Sequence, residues 1–86
     1  MAKYRKKPVV VEAVNWTGQN WTEMSEFMGI FPFVVGEGEP CICIDVLDGR
    51  MYANIGEYII KDVNGEFYPC NPKIFEKTYE RVGEDG

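Results

Sequence analysis

The chain has 86 residues, of which 45% are hydrophobic, 14% aromatic and 27% charged. This length fits one domain with one core, and this composition excludes an intrinsically disordered chain. The net charge of −5 argues against a general nucleic-acid-binding protein, which needs a basic face to displace counterions. The apolar runs are too short to span a membrane, and no signal peptide is expected.

Charge is distributed unevenly along the sequence. Four positive charges precede Pro8, on Lys3, Arg5, Lys6 and Lys7. From Val9 onward the chain has five basic and fourteen acidic residues. We expect residues 1–7 to form a flexible basic arm, which either stays solvated or pairs with the acidic body, and residues 83–86 to form a flexible tail.

The first half of the chain predicts a strand, a helix and an edge strand. The β-branched run at residues 8–14 is typical of a strand that begins with proline. Asn20 is a candidate helix N-cap with Glu23 three residues later, and apolar side chains then recur at helical spacing. Gly29 stands where a left-handed residue ends a helix. We therefore expect a helix over residues 20–28, followed by an edge strand near residues 31–35.

The second half predicts two hairpins and a second helix. Asp48-Gly49, which favours a type I′ turn, and Asn64-Gly65 each lie between strand-like segments. Asn71 followed by Pro72 marks the start of a helix over residues 72–79. The element order indicates an α+β fold. We expect a single small domain, residues 1–86, with a twisted antiparallel sheet or open barrel of about five short strands and two short helices.

Residues that could carry catalysis or hold a metal are scarce. The sequence contains no histidine, which removes the Ser–His and Cys–His nucleophilic pairs and the commonest metal ligand. Cys41, Cys43 and Cys70 lack zinc-knuckle spacing, and an odd number of cysteines is typical of a reducing cytosol. Glu12 and Glu66 are the best candidates for an acid–base group. We predict no enzymatic activity and no metal or cofactor.

Aromatic side chains and the basic arm favour a binding surface instead. Tyr and Trp rings stack on flat ligands such as nucleobases, while Arg or Lys pairs with phosphate. The alternative is that the rings form the core and its edges. The candidate residues for binding a ligand or partner are Arg5, Lys6, Lys7, Trp16, Tyr58, Glu66 and Tyr68.

The most specific motifs lie at the two ends of the chain. They are RKKPVVVEAVNW at residues 5–16 and GEYIIKDVNGEFYPCNPKIFEKTYE at residues 56–80. With these motifs the chain resembles a family of small tailed-phage and prophage proteins. The similarity covers residues 4–21 and 56–80 but not the middle of the chain. It implies no catalytic residues.

The resemblance implies a non-catalytic phage accessory protein in the cytoplasm of the host bacterium. Such a protein would act by binding a host factor, with antagonism of host defence as one role. The alternative is a protein that binds or sequesters a small nucleotide signal in an aromatic-lined pocket. Nucleic acid and membrane are not expected partners, whereas strand edges and exposed rings favour a homodimer or higher homo-oligomer.

Overall fold

The computed structural model describes residues 1–5, 8–36 and 38–82. In chain order the elements are β1 (Glu12–Asn15), α1 (Trp21–Met28), β2 (Phe33–Val35), β3 (Cys41–Val46), β4 (Gly49–Ala53), β5 (Tyr58–Lys61), β6 (Phe67–Cys70) and α2 (Pro72–Thr78). The expected α+β class and both helices are confirmed. The expectation of a flexible tail at residues 83–86 lies outside the described residues.

The strands form two antiparallel three-stranded sheets rather than one sheet or a barrel. The first sheet has the order β1-β5-β6 and the second has the order β2-β3-β4. The chain changes sheet after Ala53, where a turn directs β5 onto β1. Trp16 N donates to Glu57 O at 2.8 Å and Gly56 N donates to Trp16 O at 2.7 Å, which extends the pairing of β1 with β5. The expectation of a single sheet is corrected by this pairing.

The first sheet is covered on both faces. Ile59 in β5 is fully buried in the core between the sheets, together with Met24 and Ile42. Successive strand residues point to opposite faces, so Tyr58 and Ile60 face the other side. There the ring of Tyr58 stacks on Phe75 of α2, with 3.9 Å between the centroids. The inner face therefore packs on the second sheet and α1, and the outer face packs on α2.

Strand β1 is shorter than its sequence pattern predicts. Its pairing with β5 begins at Glu12, which lies opposite Lys61, and residues 8–11 are in no strand. β5 ends at Lys61 because the hairpin turn follows it directly, so the valine run has no strand beside it within the first sheet. Val9 and Val10 consequently remain exposed, Val10 by 70%.

Both predicted hairpins are confirmed, but the turn of the first differs from the expected type I′. Val46 pairs with Gly49, so the first loop consists of Leu47 and Asp48. A type I′ turn needs a positive φ at both loop residues, whereas only glycines have positive φ in the described residues. In the second hairpin Gly65 has a φ of 81° and its N–H donates to Asp62 O. This is the glycine position of a three-residue loop with a bulge.

The two helices begin differently although asparagine precedes both. The Asn71 side chain accepts hydrogen bonds from Lys73 N and Ile74 N, as predicted for an N-cap. The Asn20 side chain makes no such bond. Its Nδ2 instead donates to Asn15 O at 2.8 Å and to Glu23 Oε1 at 2.9 Å. Asn20 therefore ties the end of β1 to the first turn of α1, and the predicted capping box is wrong in its details.

Candidate functional site

Trp16, one of the predicted binding residues, lies in the core. Its side chain is fully buried and its Nε1 donates a hydrogen bond of 2.8 Å to Pro40 O. The rings of Trp16 and Trp21 pack in a T-shaped arrangement, with 4.8 Å between the centroids. The interpretation of Trp16 as a ligand-stacking ring is therefore corrected: it joins β1 to the segment before β3.

The other predicted residues are not gathered into one site. Arg5 is exposed in the N-terminal arm, and Lys6 and Lys7 lie outside the described residues. Tyr58 packs under α2, where Phe75 already covers one face of its ring. Glu66 and Tyr68 contact each other on β6 and the turn before it. Among the described members of the set, the structure brings together only this last pair.

Glu66 and Tyr68 form a short hydrogen bond. Tyr68 Oη donates to Glu66 Oε1 at 2.6 Å. A carboxylate acceptor favours the protonated phenol, so this hydrogen bond is the main cause that raises the pKa of Tyr68 to about 12, with desolvation and the negative charges of Glu66 and Asp62 adding to it. The pair is a protonated phenol held by a carboxylate, and it stiffens the return strand of the second hairpin.

We expect this pair to make stability depend on pH in the alkaline range. The folded pKa of Tyr68 lies above the unfolded value of 10, so its contribution is complete below pH 10 and is lost as the pH rises toward 12. Glu66→Gln should return the Tyr68 pKa toward 10 and remove that pH dependence. The shift is measured by titrating phenolate absorbance of the whole chain and subtracting the titration of Tyr68→Phe, which leaves the signal of Tyr68. Glu76→Gln on exposed α2 is the control, and an unchanged titration of Glu66→Gln would contradict the assignment.

A groove runs along the outer face of the first sheet beside α2. It has a volume of about 1030 Å³. Its lining includes residues 8–11 and Ala13 together with the aromatic rings of Tyr58, Phe75 and Tyr79. Asp62, Glu80 and Arg81 supply its charged groups. We call this the α2 groove; it contains Tyr58 but not Glu66 or Tyr68.

A second surface lies where α1 is followed by β2. Ile30, Phe31 and Phe33 are all largely exposed, Phe31 by 91%. With Arg50 and Asp45 they line a hollow of about 230 Å³. We call these five residues the Phe31 patch. The sequence prediction missed it because the segment was assigned to an edge strand. The signal was two phenylalanines flanking Pro32, a spacing that would place both on one face of a strand.

The charged pair in the Phe31 patch is held in place. Arg50 Nε donates to Asp45 Oδ1 at 3.1 Å, and the guanidinium carbon lies 5.8 Å from the centroid of the Phe33 ring. The hydrogen bond to Asp45 raises the pKa of Arg50, which remains a fixed positive charge. A planar cation is thus positioned at the edge of an apolar hollow.

The cysteines are dispersed free thiols. Cys43 is buried in β3, and Cys41 Sγ donates to Asn54 Oδ1 at 2.9 Å. Burial, together with the charge of Glu57, raises the pKa of Cys70. Within residues 1–5, 8–36 and 38–82, no group of three Cys, Asp or Glu side chains is placed to hold a metal ion.

Comparisons with known proteins identify no relative. No family model, no curated protein and no solved structure matches the chain. The resemblance to phage and prophage proteins therefore stays a prediction. In the part of the chain that the structure describes, neither helix has the length and apolar character needed to cross a membrane.

Proposed function

We propose that this chain is a non-catalytic binding protein that holds a partner protein against the Phe31 patch. The observation that carries the proposal is the exposure of Ile30, Phe31 and Phe33 side by side around one hollow. Contiguous apolar side chains with a polar rim mark interaction sites, whereas single exposed apolar residues need no explanation. Given the resemblance to phage proteins, the partner is a host factor, and interference with host defence is the role proposed for the complex.

The composition of the patch suits a protein interface. Aromatic residues and arginine are enriched among the residues that dominate binding free energy, and they act best in desolvated pockets. Arg50 is already oriented by Asp45 and by the Phe33 ring, so less side-chain entropy is lost when a partner docks. The hollow beside these residues can receive one side chain of the partner.

Charge indicates which partners suit this protein. From Val9 onward, fourteen acidic residues stand against five basic ones, so the body carries −9. An acidic body attracts a basic protein surface and repels phosphate-rich nucleic acid. We therefore propose a partner with a basic surface around an apolar side chain that enters the hollow.

The α2 groove favours a second candidate, a small nucleotide. It is lined by the Tyr79 ring beside the stacked Tyr58 and Phe75, and Arg81 lies in the same lining. An aromatic ring and a guanidinium are the groups that bind a base and its phosphate. Asp62 and Glu80 in the same groove oppose a phosphate, and for this reason we rank the nucleotide second.

The test compares Phe31→Asp with Leu47→Asp. Leu47 is 90% exposed in the first hairpin loop and does not line the hollow, so it is a matched control. A host protein captured by the wild-type chain should lose at least about tenfold in affinity with Phe31→Asp, because a charge replaces a desolvated ring. Leu47→Asp should bind it as the wild type does. Titration calorimetry with the purified partner measures both.

Two results would contradict the proposal. The first is equal affinity of Phe31→Asp and the wild type for the captured partner. The second is a thermal upshift with one member of a nucleotide panel that Tyr79→Ala abolishes, with no host protein retained by the wild-type chain. That second result would favour the nucleotide-binding alternative.

A further inference from the structure

The unpaired segment before β1, residues 8–11, supports an inference beyond the proposed function. β1 is an edge strand, and in the described residues its only strand neighbour is β5. The three valines at residues 9–11 precede it, have high β-propensity and are in no strand. An exposed β-prone segment that continues a sheet edge is a template for pairing with another strand. The valine run thus presents both apolar side chains and backbone groups to a partner.

Residues 8–11 also line the α2 groove, so their side chains are not fully covered on the outer face of the first sheet. Ala13 and Tyr79 line the groove together with these residues, and the groove is open to solvent. A strand added beside residues 8–11 would continue the floor of the groove. It would also remove Val10, now 70% exposed, from water.

Charge complementarity identifies the added strand as one from a second copy of this chain. The arm before Pro8 carries four positive charges and no negative ones, whereas the rest of the chain carries −9. In an antiparallel pair of the segment with itself, the start of each segment at Pro8 lies beyond the end of its own sheet and points toward the body of the other copy. Because a twofold interface uses the same surface on both copies, it gives each copy the same pairing of positive charges with the acidic body of the other.

We propose that two copies of the chain associate through antiparallel pairing of residues 8–11 across a twofold axis. The first sheets of the two copies join into one six-stranded sheet, and the start of each segment, which four positive charges precede in the sequence, faces the acidic body of the other copy. Two α2 helices then flank the paired valine segments on one face. The Phe31 patch, which lies in β2, β3, β4 and the segment before β2, takes no part in this interface.

The test is the mass in solution of the full chain and of three variants. Light scattering across micromolar concentrations should give the wild type twice its chain mass of 9.9 kDa. Val10→Glu should raise the dissociation constant at least about tenfold, because it places two carboxylates across the axis. Leu47→Glu, on an apolar residue outside the segment that is even more exposed than Val10, should remain dimeric. Phe31→Asp should also remain dimeric, which separates this inference from the proposed function.

Circular dichroism confirms that each variant is folded before its mass is interpreted. If Val10→Glu is not folded, Val10→Thr keeps the branched shape and should weaken the dimer by a smaller factor. The proposal is overturned by a wild-type chain that stays monomeric throughout the concentration range. It is also overturned if Val10→Glu is folded and remains dimeric. It is likewise overturned if Phe31→Asp is the only variant that dissociates the dimer.

Discussion

Trp16→Ala is expected to lower the free energy of unfolding by about 3–5 kcal/mol, the range for removing a large buried aromatic side chain. The ring is fully buried, and it supports both β1 and the segment before β3. Its loss also leaves Pro40 O without the Nε1 donor. Since small domains have about 5–15 kcal/mol in total, the melting temperature should fall by about 12 °C or more. Thermal and urea unfolding followed by circular dichroism measure both quantities.

Two companion variants identify the source of this effect. Trp21 packs edge-on against Trp16 but is an exposed side chain, so Trp21→Ala should cost clearly less than Trp16→Ala. Trp16→Phe keeps an aromatic ring and removes the Nε1 donor, so it should fall between the wild type and Trp16→Ala. A loss of less than about 1 kcal/mol for Trp16→Ala would show that the ring is not the centre of the core.

The local elements of this fold follow from local sequence. Asn71 and Pro72 define the start of α2, and Gly29, with a φ of 76°, ends α1 where a left-handed residue was expected. Each of these signals acts within a few residues, so a sequence pattern contains it. Both hairpins were located by Asp-Gly and Asn-Gly pairs, although the turn types depend on strand register, which those pairs alone do not determine.

The division into two sheets could not be predicted in the same way. It depends on the pairing of β1 with β5, which joins residues more than forty positions apart, Asn15 with Tyr58 among them. Periodicity shows which face of a strand is apolar but not which strand lies beside it. The same limit explains the error at Trp16. Its neighbours in the sequence are polar, and it is buried in a core with residues of α1, β3, β4 and β5, which only the folded chain brings together.

The Phe31 patch was missed because the sequence does not show which apolar side chains stay exposed. The edge strand expected near residues 31–35 is present as β2, but the prediction did not indicate that Phe33 at its start is exposed. Composition alone cannot distinguish a covered apolar strand from one that awaits a partner. Of the aromatic candidates chosen from the sequence, Trp16 lies in the core, Tyr58 packs under α2 and Tyr68 bonds to Glu66, so the proposed binding surface consists of residues outside that set.

Ile59→Ala is expected to cost about 2–5 kcal/mol, the range for truncating a fully buried aliphatic side chain. Ile59 lies in the central strand of the first sheet and faces Trp16, Met24 and Ile42 in the core. Strands pair on both sides of β5, so its backbone has little freedom to move into the cavity. The resulting void should stay open, which places the cost in the upper part of the range. Urea unfolding gives the change in free energy.

The matched control is Ile74→Ala, the same chemical change on the exposed side of α2. Ile74 is 59% exposed, and alanine is the better helix former, so this variant should stay within about 0.5 kcal/mol of the wild type. The contrast between two isoleucines isolates burial from side-chain chemistry. Equal losses at the two positions would mean that α2 packs elsewhere or that β5 does not face the core. Either outcome would contradict the layered arrangement, in which the α2 groove and the Phe31 patch lie on separate surfaces.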